Sequence, residues 1–231
     1  MEMLANGSID GFIMSLSAET QQKNDFNHLK EVTEQGIPLV LFDRVTEEVE
    51  CDKVIINDME IAYQVVEKFI KNGRRKIALV TTESYFNVSR KRAEGYRKAL
   101  EDHGIGVDES LVLKLPYTEV NQGMVTDFFD NNQIDAVLCV NELFAILCMR
   151  YAQKKGLRIP EDISFIGFTD GILSKYASPS LTTVAQHGQQ MGELAAEMLI
   201  EKIESEIDEE EETYRTEIIE ATLIERESTT N

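Results

Sequence analysis

The sequence is poor in cysteine, and this scarcity excludes two kinds of stabilising site. Its three cysteines, Cys51, Cys139 and Cys148, are odd in number, form no CxxC pair and have no histidine close to them. Disulfide frameworks and structural zinc sites need paired, closely spaced ligands, so neither is expected. Unpaired thiols favour a reducing cytoplasm as the location of the protein.

Long apolar runs are missing as well. No stretch approaches the roughly 20 apolar residues of a membrane span, and the first ten residues, MEMLANGSID, lack a signal-peptide pattern. No membrane partner is therefore expected. The 231 residues, 42% hydrophobic and 28% charged, have the balance of a globular protein. Such a chain can form one large domain or two lobes of about 100–150 residues.

Basic residues are few. Lys and Arg number 23 against 42 Asp and Glu, a net charge of −19, so bulk electrostatics will not hold the chain on DNA or on an anionic membrane. Residues 201–231 alone carry 12 acidic and three basic side chains. The run from Glu204 to Glu212 favours a solvated helix end and loop, and an acidic docking tail is the alternative.

Catalytic signatures are absent too. The sequence has no GxGxxG after a strand, no GxxxxGK[ST], no GxSxG and no HExxH. His28, His103 and His187 are scattered without metal-ligand spacing, and only His187, at a helix start, is retained as a candidate ligand contact. We therefore expect no catalytic residue, no metal site and no cofactor, and we do not expect an enzyme.

What the sequence does contain is a regular alternation of short apolar runs and amphipathic stretches. The runs are continuous rather than alternating, which is typical of strands buried on both faces of a parallel sheet. The pattern predicts a doubly wound α/β architecture with right-handed crossovers. The predicted strands are Phe12–Leu16, Leu39–Phe42, Lys76–Val80, Ala136–Val140 and Ile163–Gly167, and the predicted helices are Gln22–Gln35, Met59–Asn72, Ser89–His103, Val120–Asn131 and Leu143–Lys155.

Three stretches break this alternation: Arg44–Asn57, Leu181–Gln186 and Glu209–Thr213. A chain that leaves one α/β unit, builds a second and returns to the first would show such breaks. They predict two lobes joined by several crossings, with a cleft between them. Ligands of α/β sheets bind at the carboxyl ends of the strands.

Polar side chains follow three of the predicted strands. Asp43 follows Leu39–Phe42, Asn141 follows Ala136–Val140, and Thr169 and Asp170 follow the strand at Ile163. Each is a weak signal alone, because Asp and Asn also cap helices, and Asn141 is placed to cap the helix that follows it. Their equivalent positions together indicate a polar small-molecule site.

Seven short stretches, in their order and spacing, resemble the effector-binding core of the LacI/GalR bacterial transcription regulators. The resemblance covers about Asn6 to Ser228. The stretches are GSIDGFI at 7–13, IPLVLFDR at 37–44, GRRKIA at 73–78, RAEGY at 92–96, LRIPEDIS at 157–164, PSLTTVAQ at 179–186 and LIERES at 223–228.

The resemblance implies two Rossmann-like lobes with parallel sheets, the periplasmic-binding-protein-like fold, linked by three crossings. The N-terminal lobe would comprise residues 1–57 and 187–208, and the C-terminal lobe residues 58–186 and 213–228. It also implies that the family's helix-turn-helix domain, hinge and first core elements are missing. The N-terminal lobe would then lack one or two strands.

The same resemblance implies the site. Arg92 would supply a fork of donors, Asp43 and Asn141 would pair with ligand hydroxyls, and Tyr117 would offer a flat apolar face. Arg92 could instead pair with Glu94 or Glu83, and Tyr117 could be a surface aromatic. The full expected set is Ser15, Asp43, Arg92, Tyr117, Asn141, Thr169 and Gln186. Thr169 departs from the family, which has an aspartate there, whereas Asp170 is expected to be structural.

The predicted function is that of a cytoplasmic, homodimeric regulator core. It would bind a small, sugar-like effector between its lobes, and operator DNA only through the missing N-terminal domain. Binding would shift the population of lobe arrangements. A periplasmic sugar-binding protein of a transport system shares the fold and is the alternative, and an enzyme on the same architecture is the third, weakest reading.

Overall fold

A computed structural model of the chain describes residues 9–83, 86–116, 122–205 and 213–229. They form two compact α/β units, each built on a mostly or wholly parallel sheet. Unit 1 comprises residues 9–56, 86–87, 187–205 and 213–220, and unit 2 comprises residues 57–83, 88–116, 122–186 and 221–229. The predicted fold class is confirmed.

Strands and helices alternate along most of the chain. In order they are β1 (Phe12–Met14), α1 (Ala18–Lys23), α2 (Asn27–Glu34), β2 (Leu39–Phe42), β3 (Asp52–Ile56), α3 (Asp58–Lys71), β4 (Ile77–Thr81), α4 (Asn87–Asp102), β5 (Val112–Lys114), α5 (Gln122–Asn131), β6 (Ala136–Cys139), α6 (Glu142–Lys154), β7 (Ser164–Phe168), α7 (Ile172–Tyr176), β8 (Thr182–Ala185), α8 (Gly188–Glu204), β9 (Thr216–Ile219) and β10 (Thr222–Ile224).

Unit 1 has a four-stranded sheet in the order β1-β2-β3-β9, with every pairing parallel. Helix α8 packs on β1, β2 and β3. A cluster of buried side chains that includes Phe26, Leu29, Leu39 and Leu41 fills the core beside α2. The carboxyl ends of β1 and β2 therefore lie next to each other at one edge of this sheet.

Unit 2 has a six-stranded sheet in the order β10-β8-β7-β6-β4-β5, and only β10 is antiparallel. Every residue of β4, β6, β7 and β8 is buried. This explains why their sequences are continuously apolar or β-branched, since both faces of these strands are covered. No helix within the described ranges is long and apolar enough to cross a membrane.

The predicted helix Gln22–Gln35 is wrong in one respect, because it is two helices. Asn24 adopts a left-handed conformation (φ 50°) as the C-cap of α1. The Asp25 side chain then accepts a hydrogen bond from the backbone N–H of Asn27, where α2 begins. Asparagine tolerates this conformation better than most residues, so it can end a helix as glycine does.

Two of the predicted breaks contain strands. Arg44–Asn57 contains β3, and Leu181–Gln186 contains β8. Strand β3 begins with two charged residues, so it lacks the continuous apolar run by which the other strands were predicted. Both are buried and satisfied: Lys53 Nζ donates to the Val49 and Cys51 carbonyls, and Asp52 Oδ1 accepts from the Arg215 N–H at 2.8 Å.

The chain passes between the units after Ile56, after Gln186 and after Glu220, and residues 86–87 also belong to unit 1. The first two positions lie at the ends of predicted breaks. The third does not: four of the five residues of the predicted break Glu209–Thr213 lie outside the described residues, and the passage follows Glu220 instead. Because β9 pairs in parallel with β3, residues 213–220 belong to unit 1 rather than to the other lobe.

The three cysteines are free and buried. Burial raises the pKa of the Cys51 thiol to about 11 and the pKa of the Cys139 thiol well above its usual value. Buried, inaccessible thiols are unreactive, so the three cysteines act as small apolar core residues.

Gly95, in the middle of α4, lies against α3. A Cβ atom at this position would overlap the Met59 carbonyl oxygen and would lie 3.0 Å from the Cβ of Ala62. We expect Gly95→Ala to destabilise the chain by roughly 3 kcal/mol, because backbone atoms cannot move aside as a side chain can. Urea unfolding followed by circular dichroism measures the change.

The matched control is Gly106→Ala in the same unit, since nothing lies within 4 Å of a Cβ there. It should change the free energy of unfolding by no more than about 0.5 kcal/mol. Equal effects of the two substitutions would contradict the close approach of α3 and α4.

Candidate functional site

Four of the predicted site residues lie at the carboxyl edge of the unit 2 sheet. Asn141 follows β6, Thr169 follows β7 and Gln186 follows β8. Arg92, on α4, reaches the same edge, because its Nη1 donates to the Val140 carbonyl at 2.6 Å. We call these four residues the carboxyl-edge cluster.

Arg92 is the most buried member, with 4% of its surface exposed. Its Nε donates to Asp58 Oδ1 at 2.6 Å, and its Cζ lies 3.8 Å from the centre of the Phe168 ring. Its Nη2 is buried and has no hydrogen-bond partner among the described residues. Arg92 does not pair with Glu94 or Glu83, the two alternatives predicted from the sequence, because its ion-pair partner is Asp58.

An unsatisfied guanidinium donor inside a folded chain costs free energy, so such groups are rare unless something binds to them. The Arg92 fork is fixed on two sides by Asp58 and Val140 and covered on one face by Phe168. The remaining Nη2 is therefore held in one direction, ready to donate to an oxygen or nitrogen acceptor.

Asn141 is the N-cap of α6. Its Oδ1 accepts from the Phe144 N–H at 2.8 Å, as the sequence predicted. This bond fixes the orientation of the amide, and its Nδ2 makes no hydrogen bond to any described residue. The capping role therefore still leaves two N–H donors on this side chain.

Thr169 and Gln186 are joined directly. The Thr169 hydroxyl donates to Gln186 Oε1 at 2.8 Å. Thr169 has φ 76°, which is unusual for a β-branched residue, and its N–H donates to the Val184 carbonyl at 3.0 Å. Residues kept in such conformations are concentrated at functional sites, although the geometry alone does not assign a role.

Asp170 is occupied by structural contacts. Its Oδ1 accepts from Arg226 Nη2 and, at 3.0 Å, from the Thr183 hydroxyl, while Lys175 Nζ lies 3.5 Å from its Oδ2. Burial raises the pKa of this carboxyl, but the hydrogen bonds from Arg226 and Thr183 outweigh it, so the pKa lies below its usual value. The carboxylate thus ties the end of β7 to the C-terminal segment.

Unit 1 brings two other predicted residues together. Ser15 follows β1 and Asp43 follows β2, and Arg44 lies between their side chains. Arg44 Nε donates to Ser15 Oγ at 3.2 Å and lies 3.8 Å from Asp43 Oδ2. Asp43 has φ 56°, so this strand also ends in a left-handed residue.

Two candidates are left. Tyr117 lies outside the described residues. His187 is an exposed, left-handed residue (φ 52°) that precedes α8 in unit 1.

Asp58, Phe168 and Arg44 were not predicted as part of the site. Asp58 stands just after β3, at the carboxyl end of a strand that was read as a break. Phe168 is the last residue of β7, and its apolar side chain gave no sign that it would cover a guanidinium group. Among the described residues, no group of three or more His, Cys, Asp or Glu side chains could hold a metal ion.

The carboxyl-edge cluster supplies hydrogen-bond donors and one hydroxyl. Within the described ranges, these side chains include no nucleophile activated by an adjacent base. Such an arrangement can bind and orient a small polar molecule.

Residues 66–229 match the family of periplasmic binding protein-like domains. The chain is 34% identical over 212 residues to the HTH-type transcriptional repressor PurR of Vibrio atlanticus. The alignment covers 88% of this chain and 60% of that protein. It is 30% identical over 195 residues to the ribose operon repressor of Haemophilus influenzae, covering 84% of this chain and 58% of that protein.

Its fold is also similar to a LacI family transcriptional regulator from Enterococcus faecium that was solved with bound ribose. The TM-score is 0.81, the identity is 26%, and the alignment covers 99% of this chain and 82% of that one. The chain thus spans about 60% of the length of the curated relatives it matches. These relatives are transcriptional regulators rather than enzymes, as the sequence predicted.

Asp58 neutralises a buried cation, so its loss should be costly. We expect Asp58→Ala to lower the free energy of unfolding by about 3–5 kcal/mol, because Arg92 would be left buried and uncompensated. Glu60→Ala, an exposed acid on the same turn of α3, is the control and should cost no more than about 0.5 kcal/mol. Urea unfolding compares the two, and similar losses would contradict the structural role of the Arg92–Asp58 pair.

Proposed function

The chain belongs to the LacI family of transcriptional regulators, as their periplasmic-binding-protein-like effector-binding domain, and from this premise we propose that its effector is a small uncharged sugar. The observation that carries the proposal is the buried Nη2 of Arg92, which has no hydrogen-bond partner in the part of the chain that the structure describes. Its direction is fixed, because Nε of the same guanidinium donates to Asp58 and Nη1 donates to the Val140 carbonyl.

The charge balance at Arg92 favours an uncharged ligand. Asp58 already neutralises the guanidinium at 2.6 Å, so an anionic ligand would bring an excess negative charge into a buried site. A hydroxyl or carbonyl oxygen can accept from Nη2 without this penalty. Thr169 adds a hydroxyl where the family has a carboxylate, which changes the hydrogen bonding available to the sugar.

The other groups suit a molecule that carries several hydroxyls. Asn141 offers two N–H donors, and the Thr169–Gln186 pair can exchange its internal bond for bonds to a ligand. In unit 1, Ser15 and the Asp43 carboxylate at the ends of β1 and β2 provide further partners. We propose that all six residues, together with Tyr117, contact the effector.

Regulation would follow by population shift. A ligand changes the output only as far as it binds one arrangement of the protein better than another. In the intact regulator, operator DNA would be contacted outside these 231 residues, whose net charge is −19. A cytoplasmic location suits the three free thiols, and a transport protein of the periplasm is the less supported role because the curated relatives are repressors.

Thermal-shift titration with uncharged and charged ligands tests the proposal. Neutral pentoses, hexoses and disaccharides are compared with uronates and nucleobases. At 100 times its dissociation constant, a true effector adds about 2.7 kcal/mol to stability and raises Tm accordingly. We expect an uncharged sugar to do so, and Gln186→Ala to weaken its binding about tenfold, as loss of one hydrogen bond in a buried site predicts.

Gln64→Ala, an exposed glutamine on α3, is the control and should leave the affinity unchanged. Stabilisation by nucleobases or uronates alone would contradict the sugar assignment. Equal affinity of Gln186→Ala and the unsubstituted chain would contradict the proposed position of the site.

A second proposal concerns the homodimer. Ile172, Leu173 and Tyr176, all on the single short helix α7, are 70%, 42% and 83% exposed. These three large side chains form an exposed apolar patch on a short helix, and such a patch is unfavourable in water. A second copy of the chain, joined by twofold symmetry, would cover this patch.

We expect the chain to be a dimer by light scattering after size-exclusion chromatography, and Ile172→Asp to shift it towards monomer by placing a charge in the interface. Ile200→Asp, at a 52% exposed isoleucine on α8, is the matched control and should remain dimeric. A monomeric unsubstituted chain, or an equal effect of the two substitutions, would contradict the role of α7.

A further inference from the structure

A second cavity lies in unit 2, between α4, the end of β4 and the edge strand β5. Its volume is about 200 Å³. A water molecule in the liquid occupies about 30 Å³, so the cavity holds the equivalent of about six waters. Thr81, Thr82, Ser89, Arg90, Arg97 and Lys114 are among the residues that line it, and we call it the cationic cavity.

The cationic cavity is separate from the carboxyl-edge cluster and shares no lining residue with it. Its α4 residues fall on one stripe of the helix, from Ser89 to Arg97. At 3.6 residues per turn, Arg92 projects about 130° away from the centre of that stripe. The two sites therefore lie on different sides of the same helix.

The charges at this cavity are unusual for so acidic a chain. Three basic side chains line it, against the single carboxylate of Glu94. Arg97 is held by Glu109 at 3.1 Å, and Arg90 lies 3.9 Å from Glu94, which also pairs with Lys91. Lys114 has no ion pair or hydrogen bond within the described part of the chain, so its charge is uncompensated.

A buried hydroxyl pair adds directional donors. Thr82 donates to Ser89 Oγ at 2.7 Å, and both side chains are about 95% buried, with exposures of 4% and 5%. Ser89 accepts this bond, and no described residue accepts the proton of its own hydroxyl. Ser89 also lies in the first turn of α4, where the helix dipole favours negative charge.

We propose that the cationic cavity binds a phosphate group, either as the free ion or on a phosphorylated small metabolite. Lys114 and Arg90 supply the charge, and Ser89 supplies a hydrogen bond. Recognition of a phosphate by converging cations, a hydroxyl and a helix N-terminus follows from the strength of charge-assisted hydrogen bonds. This proposal does not depend on the sugar site.

Isothermal titration calorimetry at constant ionic strength tests it, with inorganic phosphate and ribose 5-phosphate as probes and with sulfate, chloride and ribose as controls. We expect a phosphate compound to bind more tightly than the control anions. Tighter binding of the sugar phosphate identifies a metabolite as the source, and equal binding identifies the free ion.

Variants locate the site. Lys114→Gln should weaken phosphate binding about tenfold, equivalent to ~1.4 kcal/mol. Lys98→Gln, an exposed lysine of α4 that does not line the cavity and pairs with Asp102, should bind as the unsubstituted chain does. Lys114 is exposed, so its substitution should not affect folding, and the melting temperature checks this.

The proposal is overturned if phosphate compounds bind no better than sulfate or chloride, or if Lys114→Gln binds as tightly as the unsubstituted chain. Loss of phosphate binding in Gln186→Ala, with Lys114→Gln unaffected, would place the anion at the carboxyl-edge cluster and would also overturn it. None of these results bears on whether uncharged sugars bind, because ribose is titrated separately.

Discussion

The buried guanidinium of Arg92 is the group on which the architecture of unit 2 depends. It joins α4 to the first turn of α3 through Asp58, to the end of β6 through the Val140 carbonyl and to the end of β7 through the Phe168 ring. A lysine could not replace it, because only a planar fork can satisfy two acceptors and stack on a ring at once. The close approach of α3 and α4 at Gly95, three residues further along α4, brings Asp58 within reach.

Several parts of this arrangement could be read from the sequence. Continuous apolar runs such as Leu39–Phe42 identified buried parallel strands, and the residues just after them identified the carboxyl edge. The sequence could not reveal β3, because Asp52 and Lys53 are charged residues whose partners, Arg215, Val49 and Cys51, become neighbours only in the folded chain. Missing β3 concealed Asp58, and missing the pairing of β9 with β3 misplaced the third crossing.

The polar residues just after the strands differ in how many of their hydrogen-bonding atoms are used by the fold and how many remain for a ligand. Asn141 uses its oxygen to cap α6 and keeps its N–H groups, whereas the Asp170 carboxylate is held by Arg226, Thr183 and Lys175. A strand-end position therefore does not by itself make a ligand contact. What separates the two residues is the number of hydrogen-bonding positions left after the local structure is satisfied.

The count of charges and unused hydrogen-bonding atoms also distinguishes the two sites to which α4 contributes side chains. Arg92 has a carboxylate at 2.6 Å and one nitrogen, Nη2, without a partner among the described residues, so its environment is nearly neutral and directional. Lys114 has no carboxylate partner among the described residues, and Arg90 and Arg97 line the same cavity against the single carboxylate of Glu94, so the cavity on the other side of α4 has a net positive charge. A neutral ligand and an anionic ligand would thus be distinguished by electrostatics alone. Because both sites use side chains of one helix, any movement of α4 on binding at one would alter the other, and linkage requires the resulting coupling to be equal in both directions.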